Sequence, residues 1–468
     1  MSPAPATIIL AISLLLIVIW GKRQKAHSQS SDPAICRQII AGVLKSTEKQ
    51  QPNTLSPHQA KAMANRHLPI AFGIDNAFTR PDSAHATMFV EKVKPLINLS
   101  AKQWYSVSEF ARVTTSYWIE HGFPGPDHNG SNTCHKEKSK GTRNHISTTC
   151  NRINLASMVQ LLSLKVVLWL FFNHKTQDQT CDANLLSLAQ SINRIWISSK
   201  LKATEDDVPR FEDDALLQTS LVNLFGTHDH PEENPLNVIL PSFETMWRVV
   251  LRAFLEIRFA TGKEVPAWRR TMIAFASQPT KSQFEAGLTL LPSRSRPESS
   301  NGSNLGDARG VWTSPSAKNI VSESLRLYVP TRHIHRAYQW DQGVATSLEI
   351  KSADIEGCHL RSDFWGSSAE RFNPDRWSEI TSAQGDAFMP FGCPPFECPA
   401  KPIFGPRMIG VLVGALLAAM EDKDQLSSWT LDCEDGRVLG HLTSGRKLCP
   451  HRNAYTELYL VRSWTREE

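Results

Sequence analysis

The chain has no C-x-x-C pair and no regular cysteine spacing, although it carries nine cysteines, at 36, 134, 150, 181, 358, 393, 398, 433 and 449. An odd, scattered set excludes a finger-type zinc site and a disulfide scaffold, and it favours a reducing compartment. No dense Lys/Arg stripe interleaves with aromatics, and a net charge of +5 over 468 residues gives no electrostatic case for nucleic acid. No internal repeat is visible, which excludes solenoids and propellers. A Gly-rich dinucleotide fingerprint is missing as well, so the chain has no nicotinamide or flavin site of that kind. What it does have is 41% hydrophobic residues and 13 tryptophans, enough for a large core rich in buried aromatic surface. The length allows two or three average domains or one large one.

The most informative run is Phe391-Gly392-Cys393-Pro394-Pro395-Phe396-Glu397-Cys398-Pro399-Ala400, followed by an apolar segment from Ile403 to Met420. A cysteine closing a tight Phe-Gly/Pro-Pro loop at the mouth of a helix is expected to have its thiol pKa lowered by the helix dipole. A fixed, partly buried thiolate is what an axial haem ligand requires. Two further pieces lie upstream. Glu323-Ser324-Leu325-Arg326 sets an acid and a base one helical turn apart on one face, and the helix ends at Pro330. Phe372-Asn373-Pro374-Asp375-Arg376-Trp377 adds a second arginine in a Pro-bounded aromatic loop.

Three motifs in this order resemble the cytochrome P450 family: the ExxR helix, the FxPxRW loop and the haem-binding cysteine loop. The match is good over residues 235–420 and unspecific before them. The resemblance implies a mainly α (α+β) fold, one large helical domain with small β-sheets. It implies haem b held by Cys398 as axial thiolate, with Phe391 seven residues before it, and a structural triad of Glu323, Arg326 and Arg376. The loop departs from the family pattern at Pro394, at Phe396 and at Ala400, where relatives usually have Gly, a basic residue and Gly. Phe396 matters most, because a basic residue there commonly pairs a haem propionate. Cys393, five residues earlier, is the competing ligand.

The family also places an acid and an alcohol on the helix that crosses the distal face of the haem. Pro241-Ser242-Phe243-Glu244-Thr245 looks like that element, with Glu244 and Thr245 as a proton relay. Pro241 cannot donate to the carbonyl of Asn237, so the helix is expected to kink or open there. Arg336 stands where relatives often carry a propionate arginine, with Arg332 and His335 as alternatives. The family's Trp-x-x-x-Arg element has no match, since neither Trp104 nor Trp118 has Arg four residues later. Val329, Pro330, Thr331 and Phe243 are candidate pocket walls.

Residues Ala4 to Trp20 are nearly all apolar and are followed by Gly21-Lys22-Arg23-Gln24-Lys25. The length is that of a short membrane span, and the basic flank would keep the body cytosolic. A cleaved signal peptide is the rival, but a basic segment before the apolar run is missing. The expected organisation is an N-terminal transmembrane anchor over 1–25, a linker over 26–60 and the catalytic domain over 61–468. This is the layout of a single-pass endoplasmic reticulum protein, with the sequons at Asn98, Asn129 and Asn301 left bare. Leu155 to Phe172 is also apolar, yet Gln160 and Lys165 mid-span make it a core helix rather than a second span. Residues 124–147 and 292–317 are hydrophilic. Helical patterns cover 152–173, 184–201 and 235–260, and extended pieces lie near 332–352 and 428–464.

The function this implies is a monooxygenase that inserts one oxygen atom from O2 into a small apolar substrate. Its electrons would come from NADPH through a separate cytochrome P450 reductase. Wording such as Cys398-Pro399-Ala400-Lys401 to Phe404-Gly405-Pro406 looks like fungal enzymes of secondary-metabolite biosynthesis. Two alternatives belong to other classes: a reductase-independent isomerase or dehydratase on the same fold, and a degenerate family member acting as a binding protein.

Overall fold

Leu155–Phe172 shows how the core is set. Its side chains are apolar on every face, so the helix is buried all round rather than on one stripe. Asn154 caps it by accepting from the Ser157 N–H, and Asn173 ends it in the left-handed conformation. Its one charge, Lys165, is neutralised in the interior by Asp182, whose other oxygen accepts from Trp118 Nε1 at 3.1 Å. Among the described residues this is the one helix long and apolar enough to cross a membrane, and 72% of it is buried within the protein. The core-helix reading of the sequence fits this burial.

The computed structural model describes residues 29–44, 54–124, 152–173, 181–200, 205–287, 289–290, 312–341, 346–421 and 427–464. The expected anchor Ala4–Trp20, Asn129, Asn301 and most of the hydrophilic stretches 124–147 and 292–317 lie outside them. The helices that bear on the site are α1 (Pro33–Ala41), α2 (Pro57–Ala64), α3 (Ala101–His121), α4 (Leu155–Phe172), α5 (Asp182–Lys200), α6 (Leu236–Phe243), α7 (Met246–Arg258), α8 (Pro266–Ser277), α9 (Ala317–Leu327), α10 (Ile355–Leu360) and α11 (Phe404–Ala419). The strands are β1 (Gln29–Ser30), β2 (Arg152–Asn154), β3 (Thr289–Leu290), β4 (Trp312–Thr313), β5 (His333–Asp341), β6 (Thr346–Asp354), β7 (Ser427–Asp432) and β8 (Tyr459–Trp464). The described chain is mostly helical, with three small sheets ordered β1-β6-β5, β2-β8-β7 and β3-β4.

α11 is the central apolar helix and packs against α3, α7, α8 and α9. β5 and β6 form an antiparallel hairpin in which His333 pairs with Asp354 and Arg336 with Lys351. Strand alternation sends Arg336 and Tyr338 to one face, where both are buried. That face meets the C-terminal end of α1. Tyr338 Oη donates to the Ile39 carbonyl, which also accepts from the Gly42 N–H, and Arg336 Nε donates to the Ile40 carbonyl at 3.0 Å at the helix end.

One expectation is overturned here. Residues 26–60 are not simply a linker, because β1 pairs with β6 in parallel and α1 buries Cys36, Ile39 and Ile40 against Val329, Ala353, Cys358 and Cys393. The three α1 residues lie at i, i+3 and i+4, one helix face. That spacing is too short a pattern to stand out from the polar sequence around it.

Candidate active site

Glu323 and Arg326 lie one turn apart on α9, and both are 0% exposed. Arg326 grips the carboxylate as a fork, with Nε to Oε2 at 2.9 Å and Nη2 to Oε1 at 2.8 Å. The loop Asn373–Trp377 brings three more donors: Arg376 Nε to Oε1 at 3.0 Å, the Asn373 N–H to Oε1 at 2.9 Å, and Trp377 Nε1 to Oε2 at 2.9 Å. The structure thus brings Glu323, Arg326 and Arg376 together. It adds Asn373 and Trp377, whose only signal in the sequence is the aromatic loop itself. Arg326 Nη1 also donates to the carbonyls of His359 and Ala369, both at 2.7 Å. A buried, fully hydrogen-bonded charge cluster of this kind fixes the relative positions of three segments.

His359, on α10, carries that order to the cysteine loop. The Met389 N–H donates to His359 Nε2 at 3.0 Å, so Nε2 is the acceptor, the proton sits on Nδ1, and Nδ1 donates to the Arg326 carbonyl at 3.0 Å. Met389 stands two residues before Phe391. Burial is the main cause that pushes the His359 pKa down to about 3; it also pushes those of His67 and His335 down to about 4. The folded protein therefore keeps these rings neutral where the unfolded chain protonates them, so stability present above the ordinary value of 6.5 is lost as pH falls toward 4. Each group contributes a slope of up to about 1.4 kcal/mol per pH unit. Chemical denaturation between pH 7 and pH 4.5 should show this loss, with a shallower dependence in His359→Gln. A stability profile equally steep in the variant would rule His359 out as a contributor.

The cysteine loop separates its two thiols. Cys393 is buried on the α1 side, where its Sγ faces the Arg37 carbonyl at 3.8 Å. Cys398 is the exposed one. Although its surface is accessible, protein crowds it, and that burial pushes its pKa above the usual thiol value, opposed by the Ala400 N–H donated to the sulfur. The depression expected from the helix dipole is therefore not what the loop gives: α11 begins only at Phe404, beyond the turn at 399–403, and burial dominates. The Cys398 N–H donates to the Phe391 carbonyl at 2.9 Å, closing the loop. Gly392 takes a left-handed φ of 72°, which turns the chain after Phe391. The Phe391 ring lies against Gly405, where an added Cβ would come within 2.8 Å of the ring. Phe391 thus locks the loop to the first turn of α11.

The helix is interrupted just after Pro241-Ser242-Phe243. α6 ends at Phe243 and α7 begins at Met246, with Glu244 and Thr245 between them. The Asn237 carbonyl, which Pro241 cannot serve, accepts instead from Asn76 Nδ2 at 3.2 Å. The Thr245 hydroxyl donates to the Pro241 carbonyl at 3.0 Å. Glu244 does not fit the relay role expected of it. Its carboxylate is buried and committed, with Oε1 to Arg248 at 2.5 Å and to Arg452 at 3.7 Å, and Oε2 accepting from Trp247 Nε1 at 3.2 Å. Arg452 lies near the far end of the chain, beyond the reach of local spacing. Glu244 anchors α7 to the C-terminal segment.

Of the three candidate propionate cations, Arg332 is paired with Glu356 and His335 is held neutral by burial. Arg336 is 4% exposed and, among the described residues, donates to two carbonyls, those of Ile40 and His335. Its guanidinium lies 5.0 Å from the centre of the Phe396 ring. Val329 and Pro330 line a small cleft together with Arg248, Arg252, Arg332 and Arg452; Phe243 does not. Arg248 and Arg252 are occupied there by carbonyls of Cys449, His451 and Arg452. Trp104 packs its ring 4.2 Å from the Arg407 guanidinium of α11, a contact that no i+4 spacing encodes.

No family model matches the chain. It is 34% identical over 141 residues to cytochrome P450 CYP72A616 of Paris polyphylla, covering 26% of this chain and 27% of that protein. It is 30% identical over 112 residues to cytochrome P450 CYP13A3 of Caenorhabditis elegans, covering 22% and 19%. A cytokinin hydroxylase of Arabidopsis thaliana is 31% identical over 87 residues, covering 18% and 17%. The chain thus spans 17% to 27% of the length of these curated relatives. Among solved structures, a 6-coordinated cytochrome P450 from Thermus thermophilus aligns over 88% of this chain and 91% of its own, with a TM-score of 0.45 and 13% identity.

Proposed function

We propose that this protein is a haem-thiolate monooxygenase that inserts one oxygen atom from O2 into a small apolar molecule, with electrons from NADPH delivered by a separate reductase. The observation that carries the reading is the tie between the buried Glu323–Arg326–Arg376 cluster and the Cys398 loop through His359. Named relatives that are cytochromes P450 support it. The residues fit a haem: Cys398 stands at an exposed position with an N–H on its sulfur, and Arg336 is a buried cation with no carboxylate partner among the described residues. Cys398 would be the axial ligand and Arg336 would meet a propionate. When bound, the haem would supply the activation of O2.

The chain's own contribution lies in holding atoms and moving protons. The loop from Phe391 to Cys398 holds the sulfur still, because Phe391 is wedged against Gly405 and its carbonyl is taken by Cys398. The opened turn between α6 and α7 presents the Thr245 hydroxyl, which can exchange its bond to the Pro241 carbonyl for one to water and so deliver a proton. Glu244 holds that turn in place through Arg248 and Trp247. With reductase and NADPH, the wild type should form product. Thr245→Ala should keep consuming NADPH while product per NADPH falls several-fold and hydrogen peroxide rises. Unchanged coupling in the variant would remove Thr245 from the proton path, and product without NADPH would favour isomerase chemistry.

The enzyme would serve biosynthetic oxidation of the fungal secondary-metabolite type, anchored in the endoplasmic reticulum membrane by Ala4–Trp20 with its body cytosolic. The sequence pattern Ala4–Lys25 supports the anchor. Asn98 is exposed at the end of the helix Ser83–Ile97, so its glycosylation in microsomes would place the body in the lumen instead.

A further inference from the structure

The first turn of α2 is fixed by a capping box, in which Ser56 Oγ accepts from the Gln59 N–H and Gln59 returns a bond to the Ser56 N–H. Pro57 sits at the helix start. His58 and Lys61, one turn apart, therefore share a face, and both touch Phe396 of the cysteine loop. The His58 ring meets it edge-on at 4.9 Å, and Lys61 Nζ lies 4.3 Å from its centre. Arg336 approaches the same ring at 5.0 Å.

Lys61 is 5% exposed and Arg336 4%, yet among the described residues neither forms an ion pair. Among the described residues Arg336 donates to the Ile40 and His335 carbonyls, and Lys61 Nζ faces the Phe396 ring. Burying two cations side by side is costly, and a ring face or a carbonyl offsets only part of that cost. Burial, and after it the repulsion of Arg336, pushes the Lys61 pKa down to about 8. Among the described residues the arrangement lacks an anion. It also explains the residue at 396: a basic side chain there would be one more cation between Lys61 and Arg336, whereas phenylalanine lets both lie against its ring.

We propose that Lys61 and Arg336 form a carboxylate-binding pair at the Phe396 edge of the cysteine loop, and that the carboxylate they take is a porphyrin propionate. Lys61 supplies from α2 the positive charge that the loop itself lacks. The assignment rests on the haem reading above. Its test compares two porphyrins on the full chain: iron protoporphyrin IX and its dimethyl ester, which has the same ring but no propionate charge. Lys61→Met should bind protoporphyrin roughly 10- to 100-fold more weakly than wild type, the loss of a charge-assisted hydrogen bond, and bind the ester within about twofold of wild type. Lys61→Arg should keep the wild-type preference. The haem-free Lys61→Met protein should melt no lower than wild type, because an uncompensated buried cation has been removed. Lys61→Gln serves the same comparison if the methionine variant fails to accumulate. Equal weakening toward both porphyrins, or no weakening toward protoporphyrin, would overturn the pair. Wild-type protein that takes up neither porphyrin would overturn the haem reading itself, and the pair with it.

Discussion

Arg326→Ala should yield protein that does not unfold cooperatively and contains no haem. The substitution removes both arms of the fork on Glu323 and the donors to the His359 and Ala369 carbonyls. Glu323 is then left in an interior where it is 0% exposed. Breaking one partner out of a buried ion cluster costs roughly 3–5 kcal/mol, a large share of the about 5–15 kcal/mol that holds a domain together. The effect also reaches the cysteine loop, because the lost Arg326 Nη1 bond holds the His359 carbonyl, and His359 Nε2 accepts from the Met389 N–H. Arg326→Lys should be only partly rescuing, since an ammonium keeps the charge but not the fork. Arg376→Ala should be milder, because Asn373 and Trp377 still hold the carboxylate. Normal haem content in Arg326→Ala would mean that the cluster is not what organises the site.

The second large effect is spectroscopic. Wild-type protein, reduced and exposed to CO, should show the red-shifted Soret band of thiolate ligation; Cys398→Ser should abolish it and Cys393→Ser should leave it in place. The two thiols lie in different surroundings, which is why the comparison discriminates. Cys393 is packed with Cys36, Ile39, Ile40 and Cys358, whereas Cys398 is accessible and receives the Ala400 N–H. Cys393→Ser costs some packing only. A lost band in Cys393→Ser with a retained one in Cys398→Ser would reverse the assignment.

The parts of this site that can be read from sequence are those that local spacing encodes. Glu323 and Arg326 meet because they are one turn apart, α11 follows from a long apolar run, and Pro241 opens the helix because it lacks an N–H. What escapes the sequence is long-range pairing. Glu244 resembles a relay acid because nothing near it in sequence reveals Arg452, and Trp104 has no visible partner because Arg407 belongs to α11. His359 and Lys61 carry no local signature; their meaning comes from Met389 and Phe396, which the fold delivers to them. Cys398 misses the helix-dipole effect for a different reason: the turn at 399–403 keeps the thiol away from the helix end.

The contact of α1 with the β5 strand bears on how the protein can be handled at the bench. A shortened chain made to dispense with Ala4–Trp20 has to keep everything from Gln29 onward. A version starting at Thr54 would strip the Ile39 and Ile40 carbonyls from Tyr338 and Arg336, bare the Cys393 side of the cysteine loop, and leave β6 with an open edge. Such a protein would be sticky for reasons unrelated to any membrane. Its poor solubility would then be easily misread as proof of a second lipid-binding surface.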